Sequence, residues 1–262
     1  MRQRLSVVLI LTIVSAVVLC SSLATAQQQP AAAPAAGLAS DTDLDALLAS
    51  RDWNALGAAL SQPVTKDYIR RKLSWLKTRM ENGAGFLVPL FYARDLWVIG
   101  SALKVDDPAK DMRVSAGLVS LYAYELIAID GLECEDRSAP GNRATQLFTS
   151  RAAAFTFLKQ QPPDLKSKIV DIAIALERKT SPLRKDDDLI CRGGLEQIRA
   201  GLERGQQQQV PTPEGHIGKT IAVTPPADWV PKFVAPDVYR PLQDKARATM
   251  RENLLKLIGE PS

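Results

Sequence analysis

The sequence predicts an all-α domain built for an oxidising compartment, and three observations carry that expectation. Apolar residues recur at helical spacing through most of residues 41–204, the first 26 residues have the layout of an export signal, and two cysteines remain once that segment is removed. An antiparallel helical bundle or a short array of helical hairpins would satisfy these patterns. A proline-rich extended arm at 205–241 and a closing helix at 242–258 complete the expected order.

The chain opens with Arg2 and Arg4 and carries no charge from Leu5 to Ala26. It passes from a bulky apolar stretch, Leu5 to Leu19, to small residues ending Ala24-Thr25-Ala26. This is the plan of a signal peptide cut after Ala26. The alternatives are an uncut anchor, for which the stretch is short of the roughly 20 residues of a membrane span, and lipidation at Cys20, where Leu19 replaces the usual small residue. Removing the segment brings 33 basic residues to 31 against 29 acidic ones, so the net charge falls from +4 to +2. Such a balance offers no basic face for nucleic acid. Cys134 and Cys191 form an even pair, most simply a disulfide. Closing a loop of this size stabilises a fold by about 4 kcal/mol on the chain-entropy account. The single histidine, His216, excludes multi-histidine metal centres, and no haem attachment site or other cofactor motif is present.

Residues 27–40, rich in Gln, Ala and Pro, read as a flexible tether. Ser40 and Asp41 then supply caps for a first helix carrying Leu44, Leu47 and Leu48. Trp53, Leu56, Gly57 and Leu60 resemble the opening W-x-x-L-G-x-x-Y half of a tetratricopeptide repeat, with Leu60 in the tyrosine position. Bulky Ile69 stands where that family places a small residue, and no second copy follows, so the reading is a plain helical hairpin broken at Pro63. From Lys66 to Glu81 the stripe Ile69, Leu73, Leu76 and Met80 predicts an amphipathic helix, with Arg70, Arg71, Lys72, Lys77 and Arg79 around the remainder. That basic face is a candidate surface for an anionic membrane or an acidic partner, and otherwise the solvated side of a bundle helix.

Pro89 to Leu103 and Val114 to Ile129 are the most apolar segments, and the second is apolar all round, as a central buried helix would be. Glu125 lies on its apolar face, so it must be paired or neutralised if that face is buried; Arg94 in the preceding segment is the natural partner. The pair reads either as a core ion pair fixing helix register or as a general acid–base site. A polar loop at 133–143, turning at Pro140-Gly141, should carry Cys134 to its bond. Further helices are expected over 144–160, 163–179 and 188–204, with Asp186, Asp187 and Asp188 capping the last.

Seven prolines between Pro211 and Pro241 break any helix and predict the extended arm, with Trp229, Phe233 and Tyr239 strapping it to the body. Gly218-Lys219-Thr220 resembles the end of a phosphate-binding loop. Pro213 occupies the first-glycine position, however, and Pro225-Pro226 soon follow where a helix should present its amides. With no catalytic constellation assembled, the sequence favours a non-catalytic, exported module binding an envelope protein or polymer. An enzyme built on Glu125 and Arg94 and a peripheral membrane protein are the alternatives.

Overall fold

The computed structural model describes residues 38–259, apart from 63, 64, 104, 106, 108, 109, 213, 214 and 216. The signal segment, Cys20 and His216 lie outside the described residues, as does the tether up to residue 37. Its end at Ala39 is held, because the Ala39 carbonyl accepts a 2.7 Å hydrogen bond from Arg71.

Helix α1 (Asp41–Ser50) opens on a capping box in which Ser40 and Asp43 satisfy each other's backbone amides. Asp52 caps α2 (Trp53–Leu60) and Thr65 caps α3 (Lys66–Glu81). Gly83, at φ 78°, turns the chain out of α3, a conformation that costs glycine little. Helices α4 (Leu87–Ala102) and α5 (Met112–Asp130) follow, then a 3-10 turn at Gly131–Glu133.

Helix α5 is the central element and packs against α4 and against four helices that come later in the chain: α6 (Ser138–Ser150), α7 (Ala152–Lys159), α8 (Pro163–Thr180) and α10 (Pro236–Leu257). Small residues let these neighbours come close. A Cβ at Gly100 would stand 2.8 Å from the Arg113 amide, and one at Gly117 would stand 2.6 Å from Leu158. Leu121, Tyr122, Leu126 and Ile129 are fully buried around it. The stretch Met112–Glu133 is long and apolar enough to cross a membrane, yet its window is 61% buried inside the protein, as a core helix would be.

Four sequence expectations change. The buried face of α3 runs through Tyr68, Lys72, Trp75, Leu76 and Met80, so Lys72 lies inside the stripe, while Ile69 and Leu73 are only half-buried. The expected helix over 144–160 is two helices broken at Arg151, and α6 starts early, at Ser138. Pro140 sits in its first turn, where no amide hydrogen is needed. The helix expected from 188 begins at Leu195 (α9, Leu195–Arg204), because the aspartates bond elsewhere and Gly193, at φ 86°, redirects the chain. Finally, the stretch 205–241 is not one continuous arm.

That stretch holds an antiparallel hairpin of β1 (Gln206–Val210) and β2 (Thr220–Thr224), in register Gln206↔Thr224 and Val210↔Thr220. Lys219 therefore leads into a strand, where a phosphate-binding loop would lead into a helix. A Cβ on Gly201 of α9 would collide with Val223, so the glycine is what lets the hairpin lie on the helix. An extended segment then runs antiparallel to the 3-10 turn's exit: Val234 donates to the Glu133 carbonyl at 2.7 Å, and Glu135 donates to the Lys232 carbonyl at 3.0 Å. Phe233 stays 36% exposed, while Trp229 is half-buried. Helix α10 begins at Pro236, earlier than expected, and carries Pro241 within it.

Candidate functional site

The structure does not bring Glu125 and Arg94 together. Arg94 faces α2, donating to the Leu60 carbonyl (2.8 Å), to Ser61 Oγ (3.2 Å) and to Asp95 Oδ1 (2.9 Å), with its guanidinium over the Phe91 ring. Glu125 points into the core, where it is 1% exposed and neither carboxyl oxygen has a hydrogen-bond partner. Burial, reinforced by the nearby Glu177, pushes its pKa up to about 9, against the opposing pull of Arg184 and Arg178. That shift favours the protonated, neutral form of the side chain at neutral pH.

The polar chemistry is concentrated one turn further on, where the ends of α5 and α8 meet α10. Arg184, just beyond α8, grips Asp130 with two nitrogens (2.8 and 2.9 Å) and Glu177 Oε1 with a third contact of 2.7 Å. It also donates to Thr180 Oγ1 (2.9 Å), which pairs with the buried Tyr122 hydroxyl at the same distance. Burial alone would lower the guanidinium's pKa; Asp130 and Glu177 outweigh it and hold the group above its ordinary value. Arg247 of α10 reaches the same Glu177 oxygen at 3.1 Å and Ser181 Oγ at 2.9 Å. Two arginines and two carboxylates from three distant stretches thus satisfy one another.

Beside this network lies a cleft of about 350 Å³, lined in part by Glu133, Asp186, Tyr239, Arg240, Gln243 and Arg247. Burial and the neighbouring Asp130 push Glu133 up to about 7, against the hydrogen bond it accepts from Gln243 Nε2 at 2.9 Å. The sequence marks Asp186 only as a helix cap and Tyr239 only as a packing ring, and it gives no signal at Arg240, Gln243 or Arg247.

A second, different face surrounds the disulfide. Cys134 and Cys191 are bonded (S–S 1.99 Å) and both are buried. The bond seats the 134–138 loop against the start of α9. There Asp136 accepts from the Glu196 amide (2.9 Å) and Ser138 Oγ from the Leu195 amide (2.8 Å), capping the helix from a distant segment. Along α9, Leu195, Ile198 and Leu202 remain 66%, 42% and 50% exposed. Leu195, at the end of this stripe, also lines a groove of about 470 Å³ formed with Trp229, Val230 and Lys232. Arg192 stacks on Trp229 with its guanidinium 5.6 Å from the ring centre.

The basic set on α3 is divided by the fold. Lys72 is buried, donating to the Leu60 carbonyl at 3.2 Å and pairing with Asp95 at 2.7 Å. Arg79 is bidentate on Asp45, and Arg71 pairs with Asp41 at 3.3 Å. Arg70 and Lys77 present well-exposed charge, and each has an acid on its own helix. Lys72 is thus withdrawn from the basic face that the sequence offers. Asp187 caps α4 from across the fold, accepting from the Phe86 amide at 2.5 Å. Asp188 accepts from Trp53 Nε1 at 3.0 Å. Among the described residues no three His, Cys, Asp or Glu side chains converge as a metal site.

No family model, curated protein or solved structure matches this chain.

Proposed function

We propose that this is an exported, non-catalytic helical module that binds another protein of the cell envelope through the α9 face beside its disulfide. In this reading the helices form an antiparallel bundle around α5, with the proline-rich stretch as a strap across it. Export is supported by the layout of residues 1–26 and by a buried disulfide, which persists in oxidising compartments. The observation that carries the binding role is the apolar stripe of Leu195, Ile198 and Leu202, left open on a helix whose other side already packs on the hairpin.

The rim selects the partner. Glu135, Asp136, Glu196 and Asp228 sit beside Arg137, Arg204 and Lys232, so an anionic lipid surface meets repulsion while a protein with mixed charge meets complementary pairs. An envelope polymer would need rows of hydrogen-bonding groups where the face offers leucine, isoleucine and valine.

The test compares capture from envelope extracts by the oxidised protein and by an Ile198→Asp/Leu202→Asp variant. A defined partner retained by the parent and lost by the variant, with thermal melting unchanged, is the expected result. Equal recovery by both, or nothing above control from either, would overturn the assignment.

A further inference from the structure

The cleft between the end of α5 and the start of α10 carries an inference independent of the α9 face. Its walls divide into groups that are satisfied and groups that are not. Arg184 and Arg247 are held by Asp130 and Glu177, and Asp244 lies 3.6 Å from Arg247. Glu133, Asp186, Lys185 and Arg240 line the same cleft, and among the described residues none of them forms an ion pair. Among the described residues, two acids and two bases without ion pairs thus face one concavity, and a ligand that carries both signs can meet each kind.

Glu133 is also positioned. Gln243, buried on α10, donates to its Oε1 at 2.9 Å and to the Ile129 carbonyl at 3.2 Å, which fixes the carboxylate at the cleft wall and leaves its second oxygen without a donor among the described residues. Tyr239, half-buried, supplies an aromatic wall beside it.

We propose that this cleft binds a small zwitterion, of the size of an amino acid or dipeptide, with its ammonium on Glu133 and its carboxylate on Arg240 and Lys185. A purely anionic ligand would leave Glu133 and Asp186 unmatched and would face Asp130 and Asp244. A purely cationic one would face Arg184, Lys185, Arg240 and Arg247. A small molecule that carries both charges fits within the cleft and offers an opposite charge to each set.

Proton release should report on the ammonium position. Burial, Asp130 and Asp186 raise Glu133 to about 7, while Gln243 and Arg184 oppose them, so a cation placed against it drives off its proton near neutral pH.

The experiment is isothermal titration of the oxidised protein at pH 7 with glycine, L-alanine, L-glutamate, L-lysine and glycylglycine, and with ethylamine and propionate as single-charge controls. At least one zwitterion should saturate a single site about tenfold or more tighter than either control, with heats that depend on the buffer's ionisation enthalpy. Arg240→Ser, on the exposed rim, and Glu133→Gln should each weaken it by about tenfold or more without lowering the melting temperature. If Glu133→Gln disturbs folding, Arg240→Ser alone decides. The proposal falls if no zwitterion saturates below about 10 mM, if a control binds as tightly, if the heats ignore the buffer, or if the deciding variants bind like the parent.

Discussion

Replacing Glu125 by glutamine should stabilise the protein, and the gain should grow with pH. In the unfolded chain this carboxyl ionises near 4.5, whereas in the fold it holds its proton to about 9. Below 4.5 both states are protonated and the group contributes no difference. Between the two values the unfolded state alone releases the proton, so folding weakens by about 1.4 kcal/mol for each pH unit. At pH 7, some two and a half units above 4.5, the native state has lost about 3 kcal/mol, a large fraction of the 5–15 kcal/mol typical of a domain. Glutamine keeps the shape and a comparable polarity but cannot ionise, so it escapes this loss. Urea unfolding at pH 5, 6, 7 and 8 reads it directly: parent and Glu125→Gln should agree within about 1 kcal/mol at pH 5 and separate to about 3 kcal/mol at pH 7, with unchanged denaturant slope. Parallel stability profiles across that range would refute the reasoning and place a charge-stabilising partner at Glu125.

Removing the disulfide as Cys134→Ala/Cys191→Ala frees a 57-residue separation and should cost about 4 kcal/mol in the same assay; a cost near zero would mean the loop is already ordered without it. Arg184→Met leaves Asp130 and Glu177 buried with only Arg247 near them and should cost about 3–5 kcal/mol, largest at pH 7–8 and reduced in acid as those carboxyls protonate. Lys72→Ala and Arg70→Ala, neighbours on one turn of α3, should differ sharply in thermal melts. The first should cost about 2–3 kcal/mol because Arg94 alone still holds Asp95; the second should stay within about 0.5 kcal/mol.

Helix α5 was legible in the sequence because a segment apolar on every side has only one stable place, the centre. The cysteine pairing was legible by parity. The hairpin was not: four consecutive glutamines have no alternation and modest strand preference, and the strand exists because Gly201 lets Val223 settle on α9. Pro140 misled for a related reason. Proline-glycine marks a turn on average, but proline is equally at home in a helix's first turn, and only the packing of α6 on α5 chooses between them.

The candidate sites divide along the same line. Glu125 was conspicuous because periodicity alone put an acid on a buried face. Its neighbour could not be read, since the nearest arginine in an apolar helix was satisfied locally by Asp95 and by the end of α2. The residues that matter at the α5–α10 junction looked like solvated surface charge one at a time. Glu177 lies 7 residues from Arg184 and 70 from Arg247, and Arg184 lies 54 from Asp130. What joins them is visible only in three dimensions: Asp130 with Arg184, and Cys134 with Cys191, tie together the same two stretches of chain, one by charge and one by a covalent bond. The bond fixes which segments meet, and the ionic contact fixes how they are oriented. The cleft lies where α10 closes over the charged half of that junction, so its shape depends on both struts, and Glu133 sits between them on the 3-10 turn.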